Sequence, residues 1–148
     1  PFIMEEGSLG PGEQKEKGVQ ADFTGRRVLL AEDNDLNWEI ARELLTGLGM
    51  EMERAENGKL CLERFSQSES GYYSAILMDV RMPVMNGYEA TRAIRALERK
   101  DACTIPIIAM TADVFSEDIR QCLDCGMNAH VAKPVDIREL AKTLGRYI

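Results

Sequence analysis

The chain contains 148 residues, of which 45% are hydrophobic, and has a formal net charge of -7 at pH 7. This length allows one domain with a real core and excludes two ordinary domains. The acidic balance argues against a nucleic-acid partner, and no apolar run predicts a membrane span or a signal peptide. The cysteines are scattered, as is usual for reduced thiols in a cytoplasmic protein: Cys61, Cys103, Cys122 and Cys125. Because the sequence starts at Pro1 rather than at methionine, we expect it to be part of a longer chain.

The first residues differ in composition from the rest. Residues 1–25 combine glycine, proline and Glu-Lys clusters without apolar periodicity, which predicts a linker before a domain over residues 26–148. The domain opens with a short apolar strand over residues 27–31 that ends in Glu32 and Asp33. A helix follows, because apolar residues recur there at helical spacing: Leu36, Ile40, Leu44, Leu45 and Leu48.

The remaining segments alternate between strand and helix. Strands are predicted over residues 50–54, 73–78, 105–110 and 129–132. Helices are predicted around Cys61, over residues 88–99, over residues 115–125 and after the capping residue Asp136. Five strands alternating with five helices predict an α/β fold with a doubly wound, five-stranded parallel sheet.

The third strand is the centre of this pattern. An uncharged run from Ala75 to Met78 ends in Asp79, and Pro83 and Gly87 then force a tight connection. Such a run predicts a strand buried on both faces. In open α/β sheets ligands bind at the carboxyl ends of the strands, which is where Asp79 is expected.

Polar residues also follow the other strands. Besides Asp79, the strand ends carry Glu32, Asp33, Thr111 and Lys133. Parallel strands share their carboxyl edge, and carboxylates gathered there repel one another unless a cation is present. Mg²⁺ prefers hard oxygen ligands and phosphate oxygens. Carboxylates, cation, lysine and hydroxyl together suit a phosphoryl group on an aspartate. Taken singly, these residues could equally be ordinary strand-end charges.

Four motifs stand in order around these residues: Leu-Leu-Ala-Glu-Asp-Asn at 29–34, Met-Asp-Val-Arg-Met-Pro-Val-Met-Asn-Gly at 78–87, Met-Thr-Ala at 110–112 and Ala-Lys-Pro at 132–134. Over residues 26–148 the chain resembles a response-regulator receiver domain, and most of all the receivers of hybrid sensor histidine kinases. The resemblance implies a flavodoxin-like fold and a role in a two-component or phosphorelay system. It also implies a phosphoryl group taken from a histidine kinase or a histidine phosphotransfer domain, with self-phosphorylation and self-dephosphorylation chemistry.

The resemblance also implies residue roles. Asp79 would be the phospho-acceptor, and Mg²⁺ would be held by Glu32, Asp33, Asp79 and the backbone carbonyl of Arg81. Thr111 and Lys133 would contact the phosphoryl oxygens, and the Lys133-Pro134 peptide would be cis.

One departure from the family's pattern concerns the switch position. His130 stands where the family usually has another aromatic residue, and by resemblance it would move inward with Thr111 on phosphorylation. It could equally be a partly exposed strand histidine without such coupling. Asn86 replaces a common aspartate in the turn before Gly87, which does not bear on phosphorylation.

Two further features have competing interpretations. Trp38 lies off the predicted apolar stripe of its helix, so it either packs against a loop or contacts a partner beside the site. Cys122 and Cys125, with His130 downstream, mimic half of a zinc site. Structural zinc needs four ligands, so core packing is the better interpretation of this pair.

Two rival functions share the predicted fold. A phosphatase of the haloacid-dehalogenase type also uses an aspartate nucleophile and Mg²⁺, but it needs a second acid two residues later, where this chain has Arg81. A flavin-binding module needs a phosphate loop rich in hydroxyl groups and glycine after the first strand. The acids from Glu32 to Asp35 would repel that phosphate.

Overall fold

The computed structural model describes residues 23–112, 116–133 and 135–148. Five strands lie in this part of the chain: β1 (Arg27–Ala31), β2 (Glu51–Ala55), β3 (Ala75–Asp79), β4 (Ile107–Thr111) and β5 (Ala129–Ala132). Six helices accompany them: α1 (Asp35–Thr46), α2 (Gly58–Gln67), α3 (Gly87–Arg95), α4 (Lys100–Thr104), α5 (Ser116–Cys125) and α6 (Ile137–Tyr147). The Lys133-Pro134 peptide lies outside the described residues, so its predicted cis form stays a prediction.

The strands form one parallel sheet in the order β2-β1-β3-β4-β5. All residues of β3 and β4 are buried, as expected for central strands covered on both faces. The chain proceeds from β1 outward to β2 and then returns to the other side of β1 at β3. The topological switch point therefore lies between the carboxyl ends of β1 and β3, where doubly wound sheets bind their ligands.

Helices cover both faces of the sheet, which confirms the doubly wound prediction. Residues that alternate along the strands belong to two separate core clusters. On one face the sheet packs against α2, α3, α4 and α5, through buried residues that include Cys61, Phe65, Ile94, Ala102 and Cys122. On the other face it packs against α1 and α6, through Ala41, Leu45, Leu140, Ala141 and Leu144.

The described helices number six rather than the predicted five. The predicted helix over residues 88–99 ends at Arg95, and α4 is a separate short helix. Arg99 adopts an extended backbone, φ -153° and ψ 152°. Its guanidinium donates 2.8 and 2.7 Å hydrogen bonds to the carbonyl oxygens of Phe65 and Ser68. This long-range contact interrupts the helix, and no proline or glycine marks the break in the sequence.

Helix α1 also differs from expectation in the face that it buries. The core contacts come from Ala41 and Leu45, with Trp38 partly buried beside them. Leu36 and Ile40, which belong to the predicted apolar stripe, are 68% and 47% exposed. The predicted stripe was therefore wrong for Leu36 and Ile40, whereas Leu45 is buried and Leu48 packs against the core as expected.

The domain includes part of the segment predicted to be a linker. Phe23 is buried in the cluster that contains α1 and α6, and its amide donates a 3.0 Å hydrogen bond to the carbonyl of Leu48. Residues 1–22 lie outside the described part of the chain, so their assignment as a linker stays a prediction. Within the described residues, none of the helices combines the length and the apolar character that crossing a membrane would require.

Candidate functional site

Three acids meet at the switch point. Glu32 and Asp33 directly follow β1, and Asp79 is the last residue of β3, the neighbouring strand. Carboxylate oxygens from all three lie within 4.8 Å of one another. Glu32 and Asp79 are only 2% and 5% exposed, whereas Asp33 is exposed. Two acids of the cluster are therefore buried and the third is open to solvent. Their oxygen atoms are of the type that binds a hard divalent cation.

Lys133 reaches this cluster from the far side. It follows β5, and its backbone amide donates a 2.9 Å hydrogen bond to the carbonyl of Thr111. Its Nζ lies 3.0 Å from Glu32 Oε1 and 3.0 Å from Asp79 Oδ2. Burial acts to lower the pKa of Lys133, but the hydrogen bonds to the two carboxylates outweigh it and raise that pKa above its usual value. The side chain is therefore a fixed positive charge at neutral pH.

Thr111 completes the arrangement along the sheet edge. It is the last residue of β4 and is 4% exposed. Its neighbour Met110 pairs with Asp79 in the β3–β4 register, and Thr111 itself pairs with Ala132, the residue before Lys133. The sheet register thus places a hydroxyl between the acidic strand end and the lysine.

The loop after Asp79 folds back closely over the strand. The amide of Gly87 donates a 2.9 Å hydrogen bond to the carbonyl of Val80, and a Cβ at Gly87 would lie 2.5 Å from the carbonyl oxygen of Asp79. The amide of Arg81 donates a long, 3.4 Å hydrogen bond to Asp79 Oδ1. Asn86 forms a capping box with Glu89 and begins α3 directly after the loop. The predicted role of the Arg81 carbonyl stays a prediction.

Arg54 is a residue near the site that the sequence did not single out. It lies on β2, and its Nε donates a 3.1 Å hydrogen bond to the backbone carbonyl of Glu32. Its Nη2 is 2.9 Å from Asp35 Oδ1, and its guanidinium carbon is 5.9 Å from the centre of the Trp38 ring. Polar residues alternate along β2, and this was the one sequence pattern that could have pointed to Arg54. The same pattern is also typical of an ordinary edge strand.

A cavity of about 460 Å³ lies beside the acids, between the first turns of α1 and the ends of β4 and β5. It is lined by Glu32, Asn37, Ile40, Ala41, Met110, Ala112, Lys133 and Val135. Exposed Leu36 and Ile40 lie on the helix that forms one wall. Trp38 is partly buried against the core, and its predicted contact with a partner stays a prediction.

The structure brings together Glu32, Asp33, Asp79, Thr111 and Lys133, and the backbone of Arg81 contacts Asp79. His130 lies within β5, opposite Ala109, and is partly buried. Cys122 and Cys125 are 1% and 6% exposed members of the core, which confirms the packing interpretation. Within the described ranges, the acidic cluster is the single group suited to a metal ion.

Comparisons with known proteins agree with this geometry. A sequence model described as the response regulator receiver domain matches residues 28–145, so the chain belongs to the response regulator receiver domain family. Hybrid signal transduction histidine kinase I of Dictyostelium discoideum is 38% identical over 125 residues, which cover 83% of this chain and 7% of that protein. The chain thus spans a small fraction of the curated relatives that it matches.

Two solved structures illustrate the family. The receiver domain of the sensor histidine kinase PA1611 from Pseudomonas aeruginosa, which has a magnesium ion in its active-site cleft, is 39% identical. It has a TM-score of 0.75, with 84% of this chain and 98% of that one covered. The receiver domain of Saccharomyces cerevisiae Ssk1, crystallised with the histidine phosphotransfer protein Ypd1, is 29% identical with a TM-score of 0.76 and coverages of 84% and 90%.

Proposed function

We propose that this domain accepts a phosphoryl group on Asp79 from a histidine of a partner protein. The observation that carries the proposal is the placement of Asp79. The residue is 5% exposed, and its carboxylate lies at the switch point within 4.8 Å of two further acids and accepts a 3.0 Å hydrogen bond from Lys133. A carboxylate held in this way is a competent nucleophile toward phosphorus.

Mg²⁺ is the ion that the acidic cluster would hold. Three carboxylates and one ammonium leave two negative charges without compensation, which is the charge that one divalent cation neutralises. The ligands offered by Glu32, Asp33 and Asp79 are oxygens, as Mg²⁺ prefers. When bound, Mg²⁺ supplies charge neutralisation for the phosphoryl oxygens. The backbone carbonyl of Arg81 is proposed as a further ligand.

The transfer itself requires little covalent chemistry from the protein. One oxygen of Asp79 forms a bond to phosphorus while the phosphorus–nitrogen bond of the phosphohistidine breaks, and the imidazole leaves with the electron pair and takes up a proton. Lys133 holds the other side of the acceptor carboxylate and offers positive charge to the phosphoryl oxygens. Thr111 offers its hydroxyl as a donor. Hydrolysis by water then releases phosphate and restores Asp79.

The output is proposed to be a change in partner binding. Thr111 ends β4, and His130 lies on the adjacent strand β5, which leads into Lys133. A shift of Thr111 toward the phosphoryl group would bias the position of the His130 ring, which is how a local contact switches a two-state element. The partly buried position of His130 supports this role.

The partner is proposed to be a histidine kinase or a histidine phosphotransfer domain. The curated relative named above is a hybrid histidine kinase, and the Ssk1 receiver was crystallised with a histidine phosphotransfer protein. The cysteines of the described residues form no disulfide, which suits the reducing cytoplasm as the proposed location of the domain.

The phosphatase alternative is not supported. A phosphatase of that type requires an acid two residues after the nucleophile, where this chain has Arg81. The receiver domain model matches residues 28–145, which include this position. Because the general acid/base for turnover is replaced by a cation, hydrolysis of external phosphate esters is not expected.

The proposal is tested by incubating the domain with a small acyl phosphate, with and without Mg²⁺, and measuring the intact mass. We expect the mass of one phosphoryl group to be added in the presence of Mg²⁺ and lost again with time. Asp79→Asn, which keeps the size of the side chain, should remain folded and gain no mass. Equal phosphorylation of this variant would contradict the assignment of Asp79.

A further inference from the structure

The backbone of Glu32 makes two hydrogen bonds to residues of β2. The β1–β2 register ends at the pair Ala31 and Ala55, and the amide of Glu32 then donates a 3.0 Å hydrogen bond to the carbonyl of Ala55. The carbonyl of Glu32 accepts a 3.1 Å hydrogen bond from Arg54 Nε. The Arg54 side chain therefore continues the β1–β2 ladder for one residue beyond the strands.

The same guanidinium also reaches the start of α1. Nη2 of Arg54 is buried and lies 2.9 Å from Asp35 Oδ1, although it has no hydrogen-bond acceptor of good geometry among the described residues. This contact is therefore an ion pair rather than an aligned hydrogen bond, and Asp35 is 88% exposed, which weakens it through solvent screening. The hydrogen bond to Glu32 is the stronger of the two contacts.

Together these contacts bracket Asp33. Arg54 is bonded to the residue before Asp33 and paired with the residue two positions after it, while the ring of Trp38 packs alongside the guanidinium. Asp33 is itself exposed, and it is the residue just before Asn34, which caps α1. An exposed carboxylate has few contacts of its own that would fix its position.

We propose that Arg54 is a positioning residue that holds the β1–α1 loop so that Glu32 and Asp33 are preorganised for a divalent cation. The inference rests on the proposed Mg²⁺ site. Groups behind the metal ligands orient them in this way, and their loss commonly weakens metal binding by about 10- to 100-fold.

Charge and position predict opposite effects of replacing Arg54. A cation beside a cation site repels the incoming metal, so loss of the charge alone would tighten Mg²⁺ binding. Loss of positioning would weaken it. Asp35 already offsets part of the Arg54 charge, so the positioning effect should dominate. The sign of the change in affinity therefore tests the proposal.

The experiment is a Mg²⁺ titration of the intact domain, followed by NMR shifts of the amides of residues 32–35. Arg54→Gln removes the charge, and Arg54→Lys keeps it but offers one point donor in place of the planar fork. We expect both variants to bind Mg²⁺ about ten-fold more weakly than wild type. In both, the Asp33 amide resonance should broaden before Mg²⁺ is added.

Arg27→Gln is the matched control. Arg27 lies at the other end of the β1–β2 pair and forms a 2.6 Å ion pair with Glu51, so its loss removes a comparable contact far from the acids. Its Mg²⁺ affinity should equal that of wild type. If Arg54→Gln binds more tightly, or if both Arg54 variants match this control, Arg54 does not position the site.

The remaining outcomes are also decisive. If Arg54→Gln is unfolded by circular dichroism, Arg54→Lys decides, and loss of folding in both would show that Arg54 is structural only. If wild type binds no Mg²⁺, both this inference and the proposed site are wrong. If wild type binds Mg²⁺ and is phosphorylated while the Arg54 variants are unaffected, only the positioning role is wrong.

Discussion

The ammonium group of Lys133 donates a 3.0 Å hydrogen bond to Asp79 across 54 residues of sequence. The same group is 3.0 Å from Glu32, so one lysine forms ion pairs with two nearly buried carboxylates. This contact couples the stability of the domain to the charge of Lys133, because the two acids repel each other once that charge is lost.

Lys133→Gln should therefore remove a contribution to the free energy of unfolding that is present at neutral pH and is lost at alkaline pH. Because the pKa of Lys133 is raised in the folded state, its contribution is fully present below the unfolded pKa of about 10.4. That contribution is lost as pH rises through the higher folded value. We expect the difference in unfolding free energy between wild type and the variant to be constant from pH 7 to pH 9 and to shrink above pH 10. Urea titrations across this range measure it, and a difference independent of pH would contradict the pairing.

Gly87→Ala should destabilise the domain and disturb the acceptor. A Cβ at this position would lie 2.5 Å from the carbonyl oxygen of Asp79, so the backbone must shift. Overpacking of this kind lowers the free energy of unfolding by about 1–3 kcal/mol. Gly145→Ala in α6 is the control, since a Cβ there meets nothing within 4 Å and replaces a helical glycine. It should stabilise by about 0.5–1 kcal/mol. Equal effects of the two substitutions in urea unfolding would refute this account of Gly87.

Val84→Gly should increase stability. Val84 has a φ of 70° and is 77% exposed, and the amide of Met85 donates a 2.7 Å hydrogen bond to the carbonyl of Pro83. This three-residue turn with positive φ is rare and strained, and most of all for a β-branched residue. Relief of about 1–3 kcal/mol of strain outweighs the ~0.5–1 kcal/mol that glycine loses in chain entropy. Val84→Ala should gain less, and a lower urea midpoint for the glycine variant would contradict the expected strain.

Leu36→Ser combined with Ile40→Ser should slow phosphoryl transfer from a partner histidine. Both side chains are exposed on α1, the helix that lines the cavity beside the acids, where a partner must approach Asp79. Phosphorylation by a small acyl phosphate should be unchanged because the acids are untouched. Leu123→Ser, at a 57% exposed position on α5, is the control and should leave both rates unchanged. Trp38→Phe in the same assay tests the predicted partner contact of Trp38, and equal transfer rates in all variants would exclude α1 as the contact surface.

The gathering of the acids, Thr111 and Lys133 could be predicted because it follows from parallel strands alone. Each residue directly ends a predicted strand, and parallel strands end at one edge, so no tertiary detail was required. Their chemical roles came from the resemblance and stay proposals.

Features that depend on side chains crossing between elements could not be predicted. Arg99 interrupts a continuous helical pattern by bonding to α2 and the residue after it, and Arg54 reaches from β2 to the loop after β1. Neither partner is close in sequence. The buried face of α1 was predicted only in part, since the small Ala41 faces the core while the larger Leu36 and Ile40 are exposed.

The two halves of the site differ in how firmly the sheet holds them. Asp79 ends β3 and Glu32 directly follows β1, and each of these strands pairs with strands on both sides. Lys133 follows β5, a four-residue edge strand that pairs only with β4. Amide hydrogens in central strands exchange only through global unfolding, while edge strands open locally. Transient detachment of β5 would therefore withdraw the lysine and leave the acids in place, giving a site that keeps its acids but lacks the ammonium group.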